Sequence, residues 1–414
     1  MENALLVKVF SHETTKDVAN DIEEIKGLVD TAGGRIVDVI KQKRYEISPA
    51  YYIGKGKAEE IKEKYNNSID LIIFDNELKT VQVRNLENIF EKKVIDRTQL
   101  ILDIFSQRAH TMEGKLQVEY AQLLYLLPRL SGRGINLMQQ TGGIGTRGPG
   151  ETKLEVDKRK IKIRIQKIKK ELENIKKIRE QQRDKRKSIP VPLVAIVGYT
   201  NAGKTMFLNR MTNAGKLSED KLFATLDPKI KRFTLPDGYT ILFSDTVGFI
   251  KRLPTQLVAA FRATLEEVKE SDVILHIIDI SEDGWQERRE VVYNVLNEID
   301  SYKDKVIIEA YNKIDKINID KKQYITNEKN GIFISAKTGE GIDNLINEIQ
   351  KVVEKYFMQR NIVVPISKPG LVEIFYKEGV VCSRQDKEDG IYLKVKCMKK
   401  TLEKFNKLKM ESEN

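Results

Sequence analysis

Five apolar residues, Leu193–Val197, run without a break into Gly198-Tyr-Thr-Asn-Ala-Gly-Lys-Thr205, and Met206–Met211 continues with helical character. A wholly apolar strand that turns on glycine and opens a helix leaves few folds available. It belongs inside a parallel sheet that carries helices on its faces. Gly198 and Gly203 allow backbone N–H groups to converge at a helix N-terminus, where phosphate oxygens are stabilised. Lys204 can set its ammonium between a β- and a γ-phosphate, and the Thr205 hydroxyl can face Mg²⁺.

Three further motifs follow in order. Phe243-Ser-Asp-Thr-Val-Gly248 ends an apolar strand in Asp245, a carboxylate able to hold a Mg²⁺ shell through water. Gly248 offers an N–H to the γ-phosphate. A bond made only in the triphosphate state can order the segment after it and so act as a switch. Between these motifs, Phe223-Ala-Thr-Leu-Asp-Pro228 contains Thr225, the expected first-switch ligand. An apolar strand at Val306–Ile308 then leads to Asn312-Lys-Ile-Asp315. Asp315 can accept from the ring N–H and the exocyclic amine of guanine. Adenine has no such amine, so ATP would leave the carboxylate partly unpaired. Ser335-Ala-Lys337 is expected to supply a backbone N–H to the guanine carbonyl oxygen.

The expected nucleotide contacts are therefore Gly198, Tyr199, Thr200, Asn201, Ala202, Gly203, Lys204, Thr205, Asp245, Gly248, Asn312, Lys313, Asp315, Ser335, Ala336 and Lys337. The expected metal ligands are Thr205, Thr225 and Asp245, and the catalytic set is Lys204, Thr225 and Gly248. The four motifs in this order imply hydrolysis of GTP to GDP and phosphate. One position departs from the Ras-like pattern, where glutamine follows the glycine and orients the attacking water. Here Phe249 stands there. Slow intrinsic hydrolysis is expected, completed by a monovalent cation such as K⁺, an ordered switch backbone or a partner. Asn201 can help to hold such a cation or can simply stabilise its loop.

With 414 residues, about two to four domains are expected. Residues 1–112 alternate strand and helix patterns, giving a small α/β domain. Leu5–Phe10, Ile36–Ile40, Asp70–Asp75 and Val94–Asp96 read as strands. Val18, Ile22, Ile25 and Val29 share one helix face, and Val81–Phe90 is helical. Gly54-Lys-Gly-Lys57 reads either as a plain turn or as a phosphate or RNA contact. Residues 113–188 predict an antiparallel helical hairpin, with Leu116, Tyr120, Leu123 and Leu127 facing Leu154, Ile161, Ile165, Ile168, Leu172 and Ile175. The glycine-rich stretch Gly142–Gly150 joins the two arms. Pro190 and Pro192 end the hairpin, the P-loop domain with its parallel sheet spans 189–359, and 360–414 is a small α+β tail domain. In the tail, Ile391, Leu393, Val395 and Cys397 alternate with polar neighbours as a half-buried strand. A Lys-rich helix after Met398 is either a phosphate-contacting patch or a solvated surface.

Charge separates the function classes. The net charge is +11, and within 151–187 sixteen Lys/Arg stand against seven acids. That concentration fits a polyanionic partner, nucleic acid above all, and Arg133, Arg147, Lys153 and Arg159 are the candidate RNA contacts. No apolar run approaches the length of a membrane span, and no signal peptide is evident, so a cytoplasmic protein is expected. Cys382 and Cys397 are expected as unpaired core residues. No feature demands a dimer, and a monomer is expected.

The chain resembles the HflX family of ribosome-associated GTPases over roughly residues 1–360. The resemblance rests on Tyr52–Glu60 (YIGKGKAEE), Phe74–Leu78 (FDNEL), Val94–Thr98 (VIDRT), Leu100–Ala109, Glu113–Glu119 (EGKLQVE) and Gly142–Leu154 (GGIGTRGPGETKL). It also rests on GYTNAGK, FATLDP and DTVGFI. It implies a cytoplasmic GTPase that binds the large ribosomal subunit, dissociates stalled or idle ribosomes and is stimulated by them. In that family the hairpin loop approaches ribosomal RNA near the peptidyl-transferase region, and an apolar residue stands where Phe249 does. Met206 and the basic run Lys229-Ile-Lys-Arg232 depart from the family pattern. Two alternatives stay open: a nucleotide-gated assembly factor without splitting activity, and an ATP-dependent RNA remodeller acting through residues 1–112.

Overall fold

The computed structural model describes residues 2–65, 67–130, 153–187, 191–212, 222–223, 229–252, 265–299, 305–318 and 331–410, with side chains left out at 153–154 and 182–187. The chain divides into two compact units. The first is Met1–Ile175 with Lys221–Leu226 and Arg252–Arg262. The second is Lys176–Asp220, Asp227–Lys251 and Ala263–Asn414.

In the first unit, β1 (Glu2–Phe10), β2 (Gly34–Lys43), β3 (Leu71–Phe74) and β4 (Lys93–Asp96) form a parallel sheet in the order β2-β1-β3-β4. Helix α1 (Thr15–Thr31) starts at a capping box. The Thr14 hydroxyl accepts from the Asp17 N–H, and the Asp17 carboxylate accepts from the Thr14 N–H. Its Val18, Ile22, Ile25 and Val29 are buried, as their spacing predicts. Gly54 stands in the left-handed region (φ +93°) just before α2 (Lys55–Tyr65), so Lys55, Gly56 and Lys57 form a helix start rather than a turn alone. Helices α3 (Thr80–Phe90) and α4 (Arg97–Arg108) follow.

The helical arms differ from expectation in their buried faces. On α5 (Met112–Arg129) the buried residues are Gly114, Leu116, Gln117, Val118, Ala121 and Tyr125, whereas Tyr120, Leu123 and Leu127 are only half-buried. The cause is Asp96 at the end of β4: it accepts from the Tyr125 hydroxyl at 2.8 Å and pairs with Arg129 at 2.8 Å, which turns α5 onto the sheet and α4. Of the described side chains on α6 (Lys153–Lys187), Ile168 is the buried one. Arg164 grips Glu119 through two bonds of 2.6 Å. These residues lie at similar distances from the connecting segment, as antiparallel arms require.

In the second unit, β5 (Leu193–Val197), β6 (Lys229–Thr234), β7 (Thr240–Asp245), β8 (Val273–Asp279), β9 (Val306–Asn312) and β10 (Ile332–Phe333) form a six-stranded sheet in the order β10-β9-β8-β5-β7-β6. All pairs are parallel except β6 on β7. Strand β5 is central, and one face of the sheet buries Val194, Ile196, Phe207 and Phe243 while the other buries Ala195, Val197, Phe249 and Ile274. That two-sided burial explains the unbroken apolar strands. Three antiparallel strands, β11 (Met358–Val364), β12 (Gly379–Lys387) and β13 (Gly390–Cys397), make a separate sheet with β13 central. Ile391, Leu393, Val395 and Cys397 are buried there, and Cys382 is exposed, contrary to the expectation that both cysteines are core.

Candidate functional site

Every element of the phosphate loop is fixed by its neighbours. Helix α7 (Lys204–Met211) starts directly after Gly203, whose φ of +97° suits glycine; a Cβ there would stand 2.2 Å from Asn312 Nδ2. The Thr200 N–H donates to the Phe249 carbonyl at 2.7 Å, and the Phe249 N–H donates to the Gly198 carbonyl at 3.2 Å. The Lys251 N–H donates to the Tyr199 hydroxyl at 2.7 Å. The loop is thus stitched to the segment after Asp245. The Thr200 N–H is taken by this stitching, and the Ala202 N–H is taken by the Tyr199 carbonyl at 3.2 Å.

Lys204 is 6% exposed, and its ammonium donates to the carbonyls of Gly198 (3.0 Å) and Tyr199 (2.7 Å). Burial lowers its pKa to about 8, against the opposing pull of the Asp245 charge. The Thr205 hydroxyl donates to Asp245 Oδ2 at 2.9 Å, which turns its lone pairs away from the carboxylate. Asp245 itself is fully buried at the end of β7, in register with Ile196. A hydroxyl beside a carboxylate is an oxygen donor set that suits Mg²⁺. A Cβ on Gly248 would lie 2.9 Å from Thr200 Cα and 3.1 Å from Lys204 Nζ. The buried Thr200 Oγ1, in the same cradle, has no hydrogen-bond partner among the described residues. A buried hydroxyl of this kind can donate to a phosphate oxygen.

The motifs expected to read the base are held as one piece. Asn312 is 1% exposed; its Nδ2 donates to the Ala202 carbonyl at 2.7 Å and its Oδ1 accepts from the Ala336 N–H at 2.9 Å. It is a strut joining the phosphate loop to Ser335–Lys337, a role its motif alone does not reveal. The Ala336 N–H is therefore already engaged. Asp315 Oδ1 accepts from the Ser335 hydroxyl at 2.6 Å, and Lys313 pairs with Asp279 at 2.7 Å. Sequence reasoning missed Arg210 altogether. Its guanidinium donates to the carbonyls of Ala336, Lys337 and Thr338, tying α7 to this loop, and no motif marks it.

Phe249 is 3% exposed and sits in the apolar core, so it cannot hydrogen-bond a water. Asn201 adopts φ +60°, a conformation asparagine tolerates better than most residues. Thr225, Arg133 and Arg147 lie outside the described residues, as does the side chain of Lys153; Arg159 is exposed on α6. Among the described residues no helix is long and apolar enough to cross a membrane.

Four family models match the chain in succession: the GTP-binding GTPase N-terminal region over 19–106, the GTP-binding GTPase middle region over 108–186, the 50S ribosome-binding GTPase over 193–313, and the HflX C-terminal domain over 320–410. The GTPase HflX of Lacrimispora saccharolytica is 45% identical over 395 residues, covering 95% of this chain and 92% of its own. The chain belongs to the HflX family of GTPases. The GTPase HflX of Escherichia coli is 42% identical, with 94% and 92% covered. Among solved structures, the complex of SsGBP with GDP is 29% identical, covers 86% of this chain and 99% of its own, and has a TM-score of 0.49. The HflX C-terminal match carries the family through the tail, beyond the roughly 360 residues of the resemblance seen in the sequence. This member of the family is a GTPase, and the loop after β5 lies beside the end of β7.

Proposed function

We propose that this protein is a cytoplasmic, GTP-driven factor that binds the large ribosomal subunit and dissociates stalled or idle ribosomes. The observation that carries the reading is the match of residues 193–313 to a 50S ribosome-binding GTPase model. It is supported by the basic helix α6, on which Arg159, Lys160, Lys162, Lys167, Lys169 and Lys170 are exposed. Sixteen cations against seven acids favour RNA phosphates as its partner.

In this reading the opening N–H groups of α7 and the Lys204 ammonium hold the β- and γ-phosphates. Thr205 and Asp245, with Thr225, hold Mg²⁺, which when bound neutralises charge developing on the phosphate oxygens. The Gly248 N–H donates to the γ-phosphate and orders the segment behind it. Asp315 accepts from the guanine N1–H and amine, held in place by Ser335 Oγ. Phe249 leaves the attacking water without a side-chain base. Its orientation falls to the switch backbone, a monovalent cation near Asn201 or the ribosome itself. Arg133, Arg147, Lys153 and Arg159 contact ribosomal RNA.

Splitting tests the reading. Intact ribosomes are mixed with the protein and GTP, GDP or a non-hydrolysable GTP analogue, then resolved on a density gradient. Free subunits are expected with GTP and the analogue, and few with GDP. An Arg147→Glu/Lys153→Glu variant that still binds GTP is expected to lose the activity. Undiminished splitting by that variant contradicts the RNA role of these residues. Stable binding without splitting identifies an assembly factor instead.

A further inference from the structure

A phosphate loop has no need of a phenol. Phosphate recognition there uses backbone N–H groups, an ammonium and a hydroxyl next to the metal. Tyr199 gives its backbone to that loop, while its hydroxyl accepts from the Lys251 N–H at 2.7 Å, three positions after Gly248. The residue is buried, and the Arg288 guanidinium lies 5.5 Å from the centre of its ring. Arg288 stands in the first turn of α8 (Trp285–Glu298), where Glu287 pairs with the Lys251 ammonium at 3.6 Å. Lys251 is thus held twice, by its amide on Tyr199 and by its side chain on α8.

Gly248 lies between two sets of ties. Before it, the buried Thr246 hydroxyl donates to the Ile196 carbonyl at 2.8 Å. After it, Phe249 forms a single parallel bridge with Tyr199, and both its N–H and its carbonyl are engaged, on Gly198 and Thr200. One isolated bridge opens easily, because no neighbouring pair supports it. The Tyr199–Lys251 bond closes the far end of this bridge. Any residue left loose there has to be ordered when Gly248 meets a γ-phosphate, and that cost is subtracted from GTP affinity.

We propose that Tyr199 is a positioning residue for the GTP reaction: its hydroxyl latches the segment after Gly248, and the first turn of α8 steadies the latch. The proposal rests on the GTP reading above. Tyr199 acts through Gly248 and its side chain touches no reacting atom. The latch orders the segment in advance, so less conformational freedom is lost when the Gly248 N–H meets the γ-phosphate. GDP lacks that phosphate and draws nothing from the latch.

The test compares wild type with Tyr199→Phe, which removes the hydroxyl and keeps the ring, and with Tyr199→Leu, which removes both. Melting curves confirm that each variant is folded. Amide exchange with GDP bound is read by mass spectrometry on peptides covering Gly248–Lys251 and Val273–Asp279. Tyr199→Phe is expected to speed exchange in the first peptide by about tenfold and to leave the second unchanged. With fluorescent analogues and Mg²⁺, GTP affinity is expected to fall by about fivefold and GDP affinity to stay within about twofold, the lower end for coupled sites. Turnover at saturating GTP falls as well, and Tyr199→Leu shows the same selective loss. Equal weakening of the two nucleotides, or unchanged exchange in the first peptide, overturns the proposal and leaves the GTP reading in place. A wild-type protein that shows no GTP affinity overturns the GTP reading itself, whatever the exchange rates.

Discussion

Replacing Asn312 by alanine isolates the strut between the two halves of the nucleotide site. The substitution removes the acceptor of the Ala336 N–H and the donor to the Ala202 carbonyl, and both of those residues are themselves buried. Each orphaned backbone group costs about 1–3 kcal/mol, so the second unit is expected to lose about 3 kcal/mol. Trp285, the single tryptophan, lies 3% exposed in the same unit, 5.6 Å from Tyr311 and beside Ile314. Its fluorescence therefore follows unfolding of this unit by urea without interference from the first. Affinity for GTP and GDP is expected to fall together, by about tenfold or more, because the damage lies in the loops that both nucleotides share. An unchanged urea midpoint with unchanged affinity refutes the strut. A loss confined to GTP assigns Asn312 to the γ-phosphate end instead.

Lys204 titrates at about 8 because it is buried, and phosphates placed beside it raise that value. Binding above pH 8 is then accompanied by proton uptake, and GTP affinity falls as pH rises through 8, by up to about tenfold per unit; calorimetry in buffers of different ionisation heat measures the uptake, and zero uptake at pH 9 contradicts it. Asp315→Asn exchanges an acceptor for a donor where the guanine amine sits, so preference is expected to move toward xanthosine triphosphate by about hundredfold; competition binding reads the ratio, and retained GTP preference rules out the assignment. Gly248→Ala drives a methyl against the Thr200 backbone at 2.9 Å. Turnover is expected to drop steeply with GDP affinity retained, and normal turnover means that this glycine does not approach the γ-phosphate.

The readable parts of this fold share one physical cause. Val194–Val197, Val273–Leu275 and Leu71–Phe74 are buried on both faces, so these stretches are continuously apolar and cannot be taken for surface. The motifs of the proposed site were legible because Gly203, Lys204, Asp245 and Asp315 are the residue types that the chemistry of one nucleotide calls for. What escaped is polar chemistry turned inward. Lys8 sits in an apolar strand yet is fully buried between two aspartates, and Arg97 opens a helix while buried against Asp75. On α5 the buried stripe includes Gly114, Gln117 and Ala121, and a search for large apolar residues selects Tyr120, Leu123 and Leu127 instead. Arg210 and Asn312 act through backbone carbonyls and amides brought close by the fold, and sequence spacing carries no trace of that.

GTP turnover by the purified protein, alone and with large subunits, small subunits or intact ribosomes, decides whether the nucleotide site and the basic helix form one machine. Strong stimulation by large subunits and intact ribosomes, with little from small subunits, is the expected result. Turnover indifferent to all three contradicts ribosome binding as the purpose of the switch.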